Sequence, residues 1–258
     1  MPRSLAFPAL IAALTAAWVL SAPNAFAGED ASGFQLPEPA ASGPAQPLWA
    51  THYFVHAASA TPTGLPFKDK SGNVVSDNVS PRDWCAAAIE GTVQVTFNAQ
   101  PRTLNYAGLA KKSQVDCAAV LKIDPVKKPW ITSVGRSYFA PAGGPYGDGV
   151  KGYRLVPFRT IAVDNTVLPF GTVVYVARAR GVSVTLPSGT VVQHDGYFFA
   201  GDTGGAIKGR HIDVFCGTTS ANCFPGFIAS DEARTFEARV VTDSAVVEAL
   251  RALHKPAP

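Results

Sequence analysis

The sequence predicts a mainly β protein of short strands, a barrel or a sandwich, with little helix. Three observations carry this. Short runs rich in Val, Thr and aromatic residues recur along the chain, each bounded by Gly, Pro, Asn or Asp. The 258 residues include 23 Gly and 21 Pro, too many for a coiled coil or a long-helix protein. Helical patterning is confined to two short segments. A composition of 47% hydrophobic and 16% charged residues excludes disorder throughout, which requires low hydrophobicity and high charge. A formal net charge of +3 is too small for a polyanion-binding field, so no nucleic acid partner is expected.

Residues 1–27 carry Arg3, an uncharged apolar stretch from Leu5 to Leu20, Pro23 and the run Ala25-Phe26-Ala27. This is the pattern of a cleaved export signal. The apolar stretch is shorter than the roughly 20 residues of a membrane span, and no Cys follows it for lipid attachment, so no integral membrane segment is expected after cleavage. Removal of 27 residues leaves 231, with 21 basic and 19 acidic side chains. A chain of that size buries about 70% of its unfolded surface. Residues 28–48, rich in Pro, Ala, Gly and Ser without periodicity, read as a disordered linker.

From Trp49 onward strands are expected at Thr92–Phe97, Thr160–Val163, Thr172–Val176, Val182–Leu186, Tyr197–Ala200, Ile212–Phe215 and Thr235–Val241. Residues 182–193 alternate on both sides of Pro187-Ser188-Gly189 and predict a hairpin. Pro81–Glu90 fits a short helix with Ser80 as N-cap and Pro81 in the first turn. The C-terminal run 242–255 fits a second helix, capped by Ser244, with Val246, Val247, Leu250 and Leu253 on one face. The four cysteines allow three pairings. An oxidising compartment makes disulfides the default, and the local pairs Cys85–Cys117 and Cys216–Cys223 are favoured. The first closes a loop of about 33 residues, worth roughly 3–4 kcal/mol in the chain-entropy model. No C-x-x-C spacing supports zinc or redox chemistry.

Polar chemistry is densest at residues 194–215, HDGYFFAGDTGGAIKGRHIDVF. Two apolar runs end in or contain Asp202 and Asp213, and the Gly-rich turn between them permits close backbone approach. Carboxylates on neighbouring strands, buried and repelling each other, acquire the raised pKa a general acid needs. Lys208 argues the other way, since a cation lowers a carboxylate pKa. The same pattern also fits an Asp that only starts a turn. A phosphate loop is not supported, because GGAIKG has neither the P-loop nor the dinucleotide spacing. Nothing completes a metal site from His194, Asp195, Asp202, His211 and Asp213. Glu90 fits either a second-lobe site residue or a solvated strand edge. Tyr138, Phe139 and Tyr146 fit sugar stacking or local packing.

The run Ala200-Gly201-Asp202-Thr203-Gly204-Gly205-Ala206-Ile207-Lys208-Gly209, then Ile212-Asp213-Val214-Phe215, resembles the three-aspartate (3D) domain of bacterial cell-wall lytic enzymes. The same domain forms the catalytic barrel of the membrane-bound lytic transglycosylases A. Arg159 to Asp164, followed by Leu168-Pro169-Phe170-Gly171-Thr172, resembles that family's other signature. The likeness extends over about residues 132–242, with a weaker one at Asp83–Val93 and Asn105–Gly108. It implies a double-psi β-barrel of six strands at 132–243, a smaller β-rich N-terminal subdomain at 49–131, and a C-terminal helix and tail at 244–258.

It also implies roles. Asp213 would serve as acid and then base for cleavage of the MurNAc-β-1,4-GlcNAc bond with a 1,6-anhydro product, and Asp202 would support it. Lys208 and the turn amides at Gly204 and Gly205 would bind substrate, while Asp164 would be structural. Apart from the resemblance, His194, which precedes the motif, fits either a substrate-binding residue that hydrogen-bonds across the site or a surface turn, and Tyr138 fits a substrate-binding residue at a groove rim. Intramolecular attack by the muramyl C6 hydroxyl needs no second carboxylate to hold a water. The alternative is a non-hydrolytic glycan-binding or expansin-like wall protein, since fold alone does not decide. The expected partner is the glycan strand of peptidoglycan, met by a periplasmic or secreted monomer, and nothing requires a cofactor.

Overall fold

The computed structural model describes residues 34–40 and 42–255. The leader expected at 1–27 lies outside the described residues. In chain order the strands are β1 (Ser42–Tyr53), β2 (His56–Ala57), β3 (Thr92–Phe97), β4 (Gln100–Leu109), β5 (Ser137–Pro141), β6 (Thr160–Val163), β7 (Val173–Tyr175), β8 (Ser183–Thr185), β9 (Val191–Gln193), β10 (Tyr197–Asp202), β11 (His211–Phe215) and β12 (Phe236–Val241). The helices are α1 (Pro81–Glu90), α2 (Cys117–Leu121), α3 (Ile131–Val134) and α4 (Ser244–Leu253). The protein is mainly β, as its composition predicts. Among the described residues no helix is long and apolar enough to cross a membrane.

Six strands close a barrel in the order β1-β11-β6-β10-β7-β12. The pairs β1/β11 and β6/β10 are parallel and the rest antiparallel. Alternation along each strand fills the barrel with Leu48, Ala50, Ile161, Val163, Phe198, Ala200, Ile212 and Val214. The residues between them face outward. A second sheet, β2-β3-β4-β5, is covered by α1–α3 over a core that includes Phe67, Trp84, Leu104, Ile131 and Phe139. The hairpin β8–β9 turns at Pro187-Ser188-Gly189, as expected.

The boundaries differ from the sequence expectation on both sides. Residues 42–48 are not linker: they pair with β12, and Leu48 is buried. Pro44 and Pro47 are tolerated there because this half of β1 is paired on one side only, by β12, while Trp49–Tyr53 pairs with β11. Residues 34–40 are not free either, since Phe34 lies under the Arg159 guanidinium and the Leu36 N–H donates to Asp195. The barrel thus begins before residue 49. The second sheet in turn takes β5 from beyond residue 132.

Local signals set the helices. Ser80 accepts from the Asp83 N–H at the start of α1, Pro81 fills the first turn, and Gly91 ends it at a left-handed φ of 84°. The cap of α4 is Asp243, not Ser244, because the Asp243 carboxylate reaches the Ala245 and Val246 N–H groups. Val246 and Leu250 then pack on Tyr197 and Phe199, outside the barrel wall. Both expected disulfides are present, Cys85–Cys117 joining α1 to α2 and Cys216–Cys223 closing the loop after β11.

Candidate functional site

The barrel register aligns the acidic residues in one row. Asp213 of β11 and Asp202 of β10 are both partners of Ala162, one on each side of β6. Thr51 of β1 is the partner of Asp213. The row therefore reads Thr51, Asp213, Ala162, Asp202 across four neighbouring strands. It lies on the outer face of the wall, where Ala162 packs with Tyr53, Val55, Leu155, Ile207 and Phe215.

Asp202 reaches this face through an irregularity. Phe198 and Ala200 point into the barrel, so strict alternation would send the side chain of residue 202 inward as well. The register shifts between Ala200 and Asp202, leaving Gly201 without a partner on β6. That one-residue bulge turns Asp202 outward to join Asp213.

Each carboxyl has defined partners. The Thr51 hydroxyl lies 2.6 Å from Asp213 Oδ1. The Tyr53 hydroxyl donates to Asp202 Oδ2 at 2.8 Å, and the Thr203 N–H donates to Oδ1 at 2.8 Å. Burial pushes Asp213 up to about 6 against the pull of Thr51 and His52. Burial likewise lifts Asp202 to about 6; the Tyr53 and Thr203 bonds oppose the rise and the charge of Asp213 adds to it. Tyr53 is raised well above the usual phenol range, first by burial and then by Asp202.

A third carboxyl faces this row from α1. Glu90 is the last residue of α1, and its Oε2 accepts the Phe54 N–H at 3.1 Å. Burial raises it to about 7, with the Phe54 bond pulling down and the charge of Asp213 pushing up. Its position at a helix C-terminus also disfavours negative charge. Three carboxyls with raised pKa values thus meet where the barrel wall faces α1.

Of the other expected site residues, Gly204 adjoins this row through Ile207. Lys208 is exposed, and its charge acts on Asp164. Asp164 accepts from the Thr166 N–H and hydroxyl and from the Gly209 N–H, tying the end of β6 to the Gly-rich turn. These bonds, led by that from Gly209, hold Asp164 down at about 2. Gly204 stacks against Ile207, and Gly205 is exposed with open space around it. Tyr138 lies over Gly108 on β4, where a Cβ would run into the phenol oxygen.

His194 is a correction. It is 1% exposed, its Nε2 is 2.8 Å from the Phe158 carbonyl, and its Nδ1 accepts the Gly196 N–H. Burial, followed by the charge of Arg159, lowers it to about 3. A neutral imidazole with both nitrogens committed among Phe34, Phe198 and Phe224 has no atom left for substrate. Among the described residues no three His, Cys, Asp or Glu side chains are grouped to hold a metal.

Thr51 and Tyr53 escape sequence reasoning because they lie about 150 residues from the aspartates they contact. Their one local trace is the period-two run Trp49-x-Thr51-x-Tyr53, which a strand pattern exposes. Replacing Tyr53 by Phe is expected to move the Asp202 midpoint above about 6, because the ionised form loses a donor. A carboxyl-carbon NMR titration reads this directly.

Residues 159–230 match the family model of the 3D domain. No curated protein matches the chain. Among solved structures the chain is similar to Escherichia coli MltA with bound chitohexaose, at 17% identity and a TM-score of 0.46, covering 75% of this chain and 71% of that one. It is also similar to a membrane-bound lytic murein transglycosylase of Agrobacterium tumefaciens, at 15% identity and a TM-score of 0.47, with 78% and 76% covered. A third is the lytic transglycosylase LtgG of Burkholderia pseudomallei, at 16% identity and a TM-score of 0.38, with 76% and 71% covered. The segment that holds Asp164, Asp202 and Asp213 is thus a 3D domain, spanning residues 159–230 of this chain.

Proposed function

We propose that the protein is an exported peptidoglycan lytic transglycosylase that cleaves the MurNAc-β-1,4-GlcNAc bond, with Asp213 as its single acid/base. The observation that carries this reading is the Asp213 carboxyl, raised to about 6 in a row with Thr51 and Asp202 on the barrel's outer face. Near neutral pH such a group populates both forms, as a residue that first gives and then takes a proton must. Asp213 protonates the glycosidic oxygen as the bond to C1 breaks. The C6 hydroxyl of the same muramyl residue attacks C1, and the Asp213 carboxylate accepts its proton, leaving a 1,6-anhydro ring. Attack from within the sugar needs no positioned water.

Asp202, fixed by Tyr53 and Thr203, supplies negative charge beside the cationic transition state. Glu90, neutral for much of the time near pH 7, offers a hydroxyl donor from the opposite side. Glu90→Gln, which keeps a donor, is expected to retain kcat/KM within a few-fold, whereas Glu90→Ala lowers it by about tenfold, one hydrogen bond's worth. Steady-state rates on soluble glycan strands check this.

The test of the reading is to digest purified sacculi with the mature protein and identify the soluble fragments by mass spectrometry. Anhydromuramyl ends are expected. Reducing ends alone would indicate hydrolysis, and intact sacculi carrying bound protein would indicate a wall-binding barrel; either result overturns the reading.

A further inference from the structure

A single hydroxyl stands between two titratable side chains beneath the acidic row. Thr51 Oγ1 is 2.6 Å from Asp213 Oδ1 and 2.8 Å from His211 Nε2. The parallel pairing of β1 with β11 sets Trp49 against His211 and Thr51 against Asp213, with alternate residues on one face. The imidazole is held there, 7% exposed and stacked on Trp49 with ring centroids 3.7 Å apart and planes 4° apart. A threonine hydroxyl carries one proton, so it cannot donate to both neighbours.

We propose that His211 is a positioning residue for the acid/base and acts through Thr51. A bare Nε2 takes the Thr51 proton, which leaves the hydroxyl oxygen to accept from Asp213 and holds that carboxyl in its acid form. A protonated Nε2 reverses both bonds: it donates to Thr51, Thr51 donates to the Asp213 carboxylate, and the base form is held. The two arrangements differ by the position of one proton, on Asp213 in the first and on Nε2 in the second. The inference rests on the reading of Asp213 as acid/base given above.

The surroundings favour the first arrangement below the Asp213 midpoint of about 6. Facing His211 are Trp49, Thr51, the Ala206 backbone and Glu232. Burial lowers its imidazole although Ala206 and Glu232 both act to raise it. Facing Asp213 are Thr51, His52, Asp202, Glu90 and Tyr53, and burial keeps its carboxyl high. A neutral imidazole and a protonated carboxyl are the two partners that the first arrangement joins.

The test follows the Asp213 carboxyl carbon by NMR through a pH titration of the full mature protein. Wild type is compared with His211→Phe, Thr51→Val and the double variant. Phe keeps a ring against Trp49 but has no nitrogen, so Thr51 is free to donate to the carboxylate. The Asp213 midpoint is expected to fall by about one unit in His211→Phe. No further change is expected when His211→Phe is added to Thr51→Val. In turnover, the alkaline limb of the kcat profile moves down by the same amount, with KM unchanged, because His211 touches no substrate.

An unchanged midpoint in His211→Phe, or the same shift with the Thr51 hydroxyl absent, overturns the proposal. Nitrogen-15 shifts of His211 in the wild type give a readout that requires no variant to fold. Nε2 is expected bare just below the Asp213 midpoint, where the carboxyl keeps its proton, and an Nε2 that carries a proton there is incompatible with the proposal. These titrations involve no glycan. Absence of anhydro ends from wild type would remove the reaction and leave the coupling standing.

Discussion

Asp213→Asn is expected to lower release of anhydromuramyl ends by about 10³-fold, within the range for loss of a positioned acid/base. Asparagine keeps the size of the side chain and can still hydrogen-bond to Thr51, but it cannot protonate a leaving oxygen. In the wild type, cleavage is expected to fall as pH rises through about 6, since the first step needs the protonated carboxyl. The same substitution acts on stability with the opposite sense. The Asp213 pKa is raised in the folded protein, so its contribution to stability is full below the unfolded carboxyl pKa of about 3.9 and is lost as pH rises through about 6. A neutral Asn escapes that loss. Above pH 6 the variant is expected to be more stable than wild type, by on the order of 1 kcal/mol once solvent screening is allowed for. Below pH 4 the two are expected to be equal. Urea unfolding at pH 3.5 and pH 8 checks both arms. An inactive variant that melts later at pH 8 marks a residue held for chemistry at a cost to the fold.

The legible parts of the fold are those with local causes. β3, β6 and α1 are found residue for residue, because Val/Thr alternation, a Ser-Pro start and a Gly stop act within a few positions. The Asp-Thr-Gly-Gly run located the acidic turn, and the spacing of the cysteines selected both bridges. The missed parts have distant causes. The first half of β1 looks like linker because its Pro-rich composition is read without knowing that β12 pairs with it on one side only. Thr51 and Tyr53 belong to the site only because β1 closes the barrel beside β11. The outward direction of Asp202 depends on the bulge at Gly201, which alternation alone reverses. His194 looks like a site residue because it adjoins the motif, yet the loop before β10 buries it among Phe34, Phe198 and Phe224.

Asp195→Ala is expected to cost about 3–5 kcal/mol, the largest single loss of stability in the barrel, because it strands a buried guanidinium. Arg159 is 0% exposed and Asp195 4%. The guanidinium reaches both carboxylate oxygens, at 2.5 and 2.8 Å, and donates to the Tyr197 carbonyl, with Phe34 beneath it at 4.0 Å. Arg159 immediately precedes β6, and Asp195 stands two residues before β10, so the pair fixes the starts of the two parallel strands that align Asp202 with Asp213. The Asp195 carboxylate also accepts the Leu36 N–H and so anchors the segment leading into β1. Removing both charges, as in Arg159→Met with Asp195→Leu, is expected to recover part of the loss, since no ion is then left buried alone. Arg159→Lys is not conservative here, because an ammonium cannot make the paired contact. Burial pushes the Asp195 carboxyl up, but the bonds and charge of Arg159 outweigh it and hold the group below its ordinary value. That contribution is present above the ordinary carboxylate range and is lost as pH falls through the lowered value, the reverse of the Asp213 dependence. Acid unfolding should therefore begin at higher pH in Asp195→Asn, where the stabilising charge is absent, than in wild type. A denaturation series from pH 7 to pH 2 that showed the same acid midpoint for both would assign the stability of this wall to its apolar packing instead.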